Sequence, residues 1–465
     1  MQRDDSLRGV SVLIAGAGLA GLVAADELQR HGADVLLVEG RARPGGRVWT
    51  CRDGFSANQH AEAGGDLIDE GQIEIWRLAG ELGLELARIL RTGWSAMRRR
   101  ALDQQPDISE GWEAIERQLE PEIRAYRLAE RRWDSAIAET LARESVTAWL
   151  DRVGATESMR STAVAMRGFF LADSADLSLL ALVDQFAEDV TPGQGRLYRI
   201  EGGNDRIVSA LAARLAVRLR LGTALASIVH SPHGVDATLR PANGLQDQLH
   251  ADYVVCTMPA STLREIHIDP PLPSAQREAI DRLRYGAATK TLLQFERAPW
   301  RRVGKGRAYG TDLPIGAVWD GNEEQPGPAG ILSLLAGGSA SAATRELLAR
   351  DGVDGMLREL QWLGVGKTRL LAHRVIIWED DPWARGGYAY FEAGCDPTLR
   401  PWLARPHGRI LFAGEHTSMR WQGYMNGAVE SGLRAAAEIV ARQRGRIQPP
   451  PPRLWRPNAH ETITE

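Results

Sequence analysis

Gly16, Gly18 and Gly21 stand in G-x-G-x-x-G order directly behind the apolar run VSVLIA (residues 10–15) and at the mouth of a segment, LVAADELQRHG, with helical spacing. Each glycine has its own physical cause. One closes a tight turn, one lets backbone N–H groups approach a pyrophosphate, and one lets helix and strand pack closely. Glu39 ends a second apolar run, VLLVE, 23 residues after Gly16, where a carboxylate can accept hydrogen bonds from a ribose diol. A charge-assisted bond of that kind contributes about 1.5–3 kcal/mol, enough to prefer a free 2′-hydroxyl over a 2′-phosphate. The pattern calls for a dinucleotide and does not choose which. Immediately beyond it, E-G-R-A-R-P-G-G-R brings Arg41, Gly45, Gly46 and Arg47, where a glycine pair lets backbone reach a flat ring and the arginines neutralise phosphate.

These residues need a strand, a glycine turn, a helix and a second strand within about thirty residues, which is the βαβ unit of a doubly wound parallel sheet. The expected fold is α/β: a Rossmann-like dinucleotide-binding domain, with a discontinuous substrate domain made of a mixed β-sheet and a helical insert. Residues 8–75, 197–265 and 405–445 are assigned to the first domain, 76–196 to the helical part and 266–404 to the mixed sheet. The stretch through IERQLEPEIRAYRLAERRWDSAIAETLAR is amphipathic, with an Arg-rich face read as solvated. LYRIEGGNDRIVSALAARL reads as strand, turn and helix, and ADYVVCTMP as a strand with a proline stop; both are expected to rejoin the first sheet. RILFAGEHT gives one more strand, followed by a helix from Gly427 to about Arg442. The tail at 446–465 is Pro-rich.

Bulk composition narrows the function classes. The 465 residues carry a formal net charge of -4, with 44% hydrophobic and 25% charged side chains, so an ordinary packed protein of two or three domains is expected and no global positive field favours nucleic acid or an anionic membrane. The three cysteines, Cys51, Cys256 and Cys395, have no metal-ligand spacing and fit a reducing compartment. The first residues lack the order of a signal peptide, so a cytoplasmic location is expected. No metal site is expected.

Taken with VEGRARPGGRV, the segments AEAGGDLID, EGGNDRIVSALAARL, ADYVVCTMP, YGAATKTLLQFE, WEDDPWARGGYAYF and FAGEHTSMRWQGYMNGAVESG occur in an order that resembles the flavin amine oxidase family over residues 8–445. The last segment is the most specific and is similar to the monoamine oxidase version. The resemblance implies FAD as cofactor, with Glu415 holding the ribityl chain, the backbone around Met425 approaching the flavin ring and a backbone amide near Leu225 meeting adenine. It implies that Lys290 holds a water near flavin N5, and that Tyr388 and Tyr424 flank the amine. Two ring faces would confine the amine to a slot and lower the entropic part of the barrier. Trp319, Trp378 and Trp421 are further pocket candidates.

One departure bears on the cofactor. Covalent members of the family carry a cysteine just before the first cage aromatic, and here Gly387 precedes Tyr388. The FAD is therefore expected to be non-covalent, and acid precipitation should leave the yellow chromophore in the supernatant, not in the pellet.

The implied reaction is net hydride transfer from Cα to flavin N5, giving an imine that hydrolyses to an aldehyde or ketone, with O2 reoxidation yielding H2O2. A small-molecule amine and O2 are the implied partners, and a homodimer is a candidate assembly. An L-amino-acid oxidase is the first alternative. It needs a cation for the substrate carboxylate, yet Gly64-Gly65-Asp66-Leu67 offers an acid where an arginine often stands, leaving residues such as Arg167 to serve. A C–C desaturase or protoporphyrinogen-type oxidase shares the fold but not the lysine and W-Q-G-Y segment. The alternative from another class is a non-catalytic FAD-binding protein.

Overall fold

The apolar run behind the first glycine forms the strand Ser11–Ala15, buried along most of its length, and the glycine turn delivers the chain into the helix Leu19–Arg30. This is a computed structural model of the chain, and it describes residues 5–97, 109–187, 195–215, 218–301 and 307–445. Ser11–Ala15 is the middle strand of a five-stranded sheet ordered Ile410–Phe412, Tyr253–Cys256, Ser11–Ala15, Asp34–Val38, Leu219–Arg220, with every neighbouring pair parallel. Its strands come from the segments 8–75, 197–265 and 405–445. Near-continuous Val, Ile and Leu in the three inner strands is what a parallel sheet covered on both faces requires.

One face is covered by the helix Leu19–Arg30, against which the C-terminal helix Met425–Gln443 packs. A Cβ on Gly432 would stand 2.5 Å from the Ala20 carbonyl oxygen, so the two helices meet backbone to backbone.

The second large sheet has six strands in the order Leu370–Ile377, Ala288–Phe295, Gly330–Gly337, Ala317–Asp320, Ala308–Thr311, Trp94–Met97. All its pairs are antiparallel except the last, so it is mixed. Ala288–Phe295 has a partner on each side and is buried at all eight positions. Helices between 109 and 187 close a separate core around Tyr126, Trp149 and Leu180. Four of them begin on a side-chain cap from Ser135, Ser145, Thr156 or Ser178, each accepting a backbone N–H of the first turn. No helix among the described residues is long and apolar enough to cross a membrane.

Two sequence expectations are corrected. The segment 76–196 is not helical throughout: Leu86–Ile89 and Trp94–Met97 are strands, the first pairing with Leu197–Ile200 and the second with Ala308–Thr311. Short apolar runs do not distinguish strand from helix by periodicity, and here long-range partners decide. Leu197–Ile200 also does not rejoin the parallel sheet; it is the centre of a three-stranded sheet between Ile68–Asp69 and Leu86–Ile89. The helix behind it, Asp205–Arg214, does pack on Leu19–Arg30. The Pro-rich tail lies outside the described residues.

Candidate active site

A cleft of about 1150 Å³ runs between the parallel sheet and the mixed sheet. Gly16, Gly18, Glu39, Arg41, Gly45, Gly46, Arg47, Leu225, Lys290, Trp319, Trp378, Tyr388, Glu415, Trp421, Tyr424 and Met425 all line it. Of the cofactor-binding, catalytic and tryptophan candidates named above, Gly21 alone stands behind the lining. A Cβ there would be 1.9 Å from the Gly16 carbonyl oxygen, so Gly21 lets the helix press onto the turn.

At one end the geometry suits a dinucleotide. Gly16 has φ +108°, a conformation that disfavours other residues, whereas a Cβ on Gly18 would meet nothing within 4 Å and would project into open space at the turn. Leu19 and Ala20, the first residues of the helix, also line the cleft, where unpaired N–H groups and the helix dipole favour a phosphate. Glu39 is 5% exposed, and its carboxylate accepts the N–H groups of Ala17 at 2.8 Å and Arg41 at 2.9 Å. The Gly45 N–H donates to Ala17 O at 2.7 Å, which docks the Gly-Gly turn on the first loop. Leu225 lies at a β-bulge: Leu225 pairs with Leu239 and Ser227 with Thr238, and Ala226 between them is left out of that ladder and lines the cleft.

The two arginines expected to neutralise phosphate also contact carboxylates. Arg41 Nη2 is 2.5 Å from Asp381 Oδ1, and Arg47 Nη1 donates to Glu415 Oε1 at 3.0 Å and to Gly387 O at 2.7 Å. Both charges face carboxylates, as half-buried guanidiniums generally must. Glu415 Oε2 also accepts the Gly423 N–H at 2.8 Å. Burial lowers the adjacent His416 to about 4, so it adds no cation at neutral pH.

These residues fit FAD, and they fit it without a covalent bond. Among the described residues, none of the cysteines Cys51, Cys256 and Cys395 lines the cleft. A Cβ on Gly387 would fall 2.3 Å from Leu171 Cδ1 and 2.9 Å from Ala288 Cβ, so a cysteine there would displace the wall.

At the other end the charges are buried. Lys290, on the fully buried strand, is 2% exposed; its Nζ is 2.9 Å from Asp66 Oδ2 and 3.3 Å from Gly64 O, and 4.9 Å from the centre of the Trp319 ring. An ammonium has three donors, so one remains for the cleft. Asp66 Oδ1 accepts Arg199 Nε at 3.0 Å and Nη2 at 2.7 Å, and Oδ2 also accepts Trp319 Nε1 at 3.0 Å. Arg199 is fully buried and continues to Glu324 at 2.8 Å. Burial opposes ionisation of Asp66, but Arg199 and Lys290 outweigh it and hold its carboxyl below the usual range.

Glu62 behaves in the opposite way. Burial, reinforced by the charge on Asp66, pushes its carboxyl up to about 8, against the pull of Arg199. It retains a proton in the folded state that the unfolded chain, with a carboxyl near 4.5, would lose. Stability should therefore fall as pH rises from about 4.5 to about 8 and level off above that. Glu62→Gln should flatten this decline, checked by comparing denaturation midpoints at about pH 5 and about pH 8.5.

Between the two ends stands an aromatic slot. The Tyr388 hydroxyl donates to Phe169 O, and the Tyr424 hydroxyl is 3.5 Å from Gln185 Oε1. Burial, with Tyr424 and Glu415 adding, drives the Tyr388 phenol well above its ordinary value and keeps it neutral. Trp421 meets Tyr424 edge to face at 5.7 Å. A Cβ on Gly423 would be 3.3 Å from Tyr388 Cδ2, so Tyr424 follows directly on the residue that packs against the other tyrosine. Trp378 is fixed by its Nε1 donating to Ala63 O at 3.1 Å. Phe169, Phe170, Leu171, Leu335 and Trp112 complete an apolar wall that the sequence did not single out. Arg167 does not line the cleft; its Nη2 donates to Leu313 O at 2.7 Å, which removes it as a substrate-carboxylate partner.

Comparison with known proteins agrees with this geometry. The model of flavin-containing amine oxidoreductases matches residues 19–440. The AofH protein of Mycobacterium tuberculosis, named as a flavin-containing monoamine oxidase, is 30% identical over 93% of this chain and 97% of its own length. Flavin-containing amine oxidase B of Sus scrofa is 26% identical over 92% and 86%. Among solved structures, cyclohexylamine oxidase from Brevibacterium oxydans superposes with a TM-score of 0.81 at 24% identity, covering 94% of this chain and 99% of that one. A putrescine oxidase bound to putrescine gives 0.79 at 22%, over the same shares, and these two likenesses speak to the fold.

Proposed function

The chain belongs to the flavin-containing amine oxidoreductase family, and from that premise we propose that it oxidises the Cα–N bond of a small amine with an apolar body. The product would be an imine that water hydrolyses to an aldehyde or ketone, with O2 as the final acceptor and H2O2 as its product. The observation that carries this reading is the buried Lys290, held at 2.9 Å by Asp66 in the same cleft wall as the two tyrosines.

FAD, when bound, supplies the two-electron acceptor. The protein's own residues do the rest. Glu39, the Gly16–Gly18 turn and the start of the following helix bind the dinucleotide, and Glu415 with the backbone near Met425 holds its other end. Tyr388 and Tyr424 restrict the amine to a slot and set the direction of its Cα–H, which converts binding energy into orientation. The Tyr388 phenol stays neutral, so the slot carries no phenolate there and suits an uncharged amine, the form able to lose hydride equivalents. The apolar wall of Phe169, Phe170 and Leu171 excludes water from the slot. Lys290 offers its remaining donor to a water or a reacting oxygen at the cleft. An amino-acid substrate is disfavoured because Lys290 and Arg47, two cations that line the cleft, already face Asp66 and Glu415.

An anaerobic panel of amines and amino acids tests this. Bleaching of the flavin band by apolar monoamines, with peroxide appearing once air is admitted, is the expected result. Bleaching by amino acids alone, or by nothing, would overturn it.

A further inference from the structure

Trp383 is the one aromatic side chain among the exposed large apolar residues of the described chain, 37% open, and it lines the cleft. It is nonetheless firmly placed. The Trp383 backbone N–H donates to Asp381 Oδ1 at 2.9 Å, the same oxygen that receives Arg41 Nη2. Its ring lies directly on Gly40: a Cβ at Gly40 would be 2.7 Å from Cη2 and Cζ3 and 2.8 Å from Cε3. Gly40 is not among the positive-φ glycines, so the ring, not the backbone conformation, is what excludes a side chain there. Gly40 follows Glu39, and the Arg41 N–H binds the Glu39 carboxylate at 2.9 Å. The indole, Gly40 and the ribose acceptor thus form one continuous edge.

That edge belongs to two parts of the protein. Gly40 and Glu39 follow a strand of the parallel sheet, whereas Trp383 sits on the segment between Trp378 and Tyr388. This segment is tied down by Trp378 to Ala63 O, by Asp381 to Arg41, and by Arg385, which pairs with Glu265. A partly open indole against a cleft is apolar surface that a bound dinucleotide would cover, and an aromatic ring offers it a flat contact at low conformational cost.

We infer that Trp383 is a cofactor-retaining residue: wedged on Gly40 beside Glu39, its indole forms the outer wall over the adenosine half of the dinucleotide site, and FAD leaves when that wall moves. The contact explains both the glycine at 40 and the exposed ring at 383. It also makes one segment carry the cofactor wall at Trp383 and the cage residue Tyr388.

The test is the rate at which the holoenzyme releases FAD, followed as the fluorescence of free FAD after dilution. Trp383→Ala should speed release about tenfold, the scale of one stacked aromatic contact, and Trp383→Phe should stay close to wild type. Gly40→Ala should also speed release, because its methyl displaces the ring. In the Trp383→Ala background the same change should add nothing further. Release at the wild-type rate from Trp383→Ala, or multiplying effects in the double variant, would overturn the inference. So would a matching fall in the thermal midpoint of the Trp383→Ala apoprotein, since that would make the role purely structural. None of these readouts depends on whether the enzyme accepts an amine.

Discussion

Asp66→Ala is expected to destabilise the folded protein by about 3–5 kcal/mol, the cost of leaving a buried charge without its partner. The reason is the number of groups that share this carboxylate. Arg199, with no exposed surface, loses two of its hydrogen bonds; Lys290 loses its counter-charge; Trp319 Nε1 loses its acceptor. Water cannot reach Arg199 to compensate. Asp66→Asn keeps one acceptor and the shape, and should fall between wild type and alanine. Adding Arg199→Met to Asp66→Ala should recover part of the loss, because replacing both members of a buried pair by apolar atoms is far cheaper than removing one. Urea denaturation midpoints check all three. A wild-type midpoint for Asp66→Ala would show that the network does not carry the fold.

Lys290→Met should have the opposite profile, with a near-normal fold and a large kinetic defect. Asp66 then still holds Arg199 and Trp319, so the buried carboxylate is not orphaned. Turnover should drop by about 10²–10⁴, the usual range for a positioned proton-transfer group, while the flavin spectrum of the purified protein persists. Stopped-flow measurement of reduction by amine and of reoxidation by O2 assigns the defect to a half-reaction. Unchanged rates in both would remove Lys290 from the chemistry.

Chemistry-bearing residues were legible where a local pattern dictates them. The glycine spacing and Glu39 announced the dinucleotide turn because a tight turn, a close approach and close packing each demand glycine at a fixed offset. Lys290, Tyr388 and Tyr424 came only through resemblance, and all three line one cleft. What remained hidden depends on residues distant in sequence. Asp66 was noticed as an acid in an arginine's place, but its partners Arg199 and Lys290 lie 133 and 224 residues away. The strand at Leu86–Ile89 is specified by Leu197–Ile200, and nothing in its own apolar run could show that. Arg41 and Arg47 were expected to face phosphate; the carboxylates that also contact them, Asp381 and Glu415, stand 340 and 368 positions further on.

The parallel sheet has a consequence for synthesis. Its outer strand, Ile410–Phe412, and the helix Met425–Gln443 that packs against Leu19–Arg30 are made some four hundred residues after the glycine turn they complete. While the ribosome is still upstream of them, the nascent chain has the turn but neither Glu415 nor the helix that backs it. Such long-range closure is slow and exposes apolar surface in the meantime. Closure of the cofactor site therefore waits for these late elements.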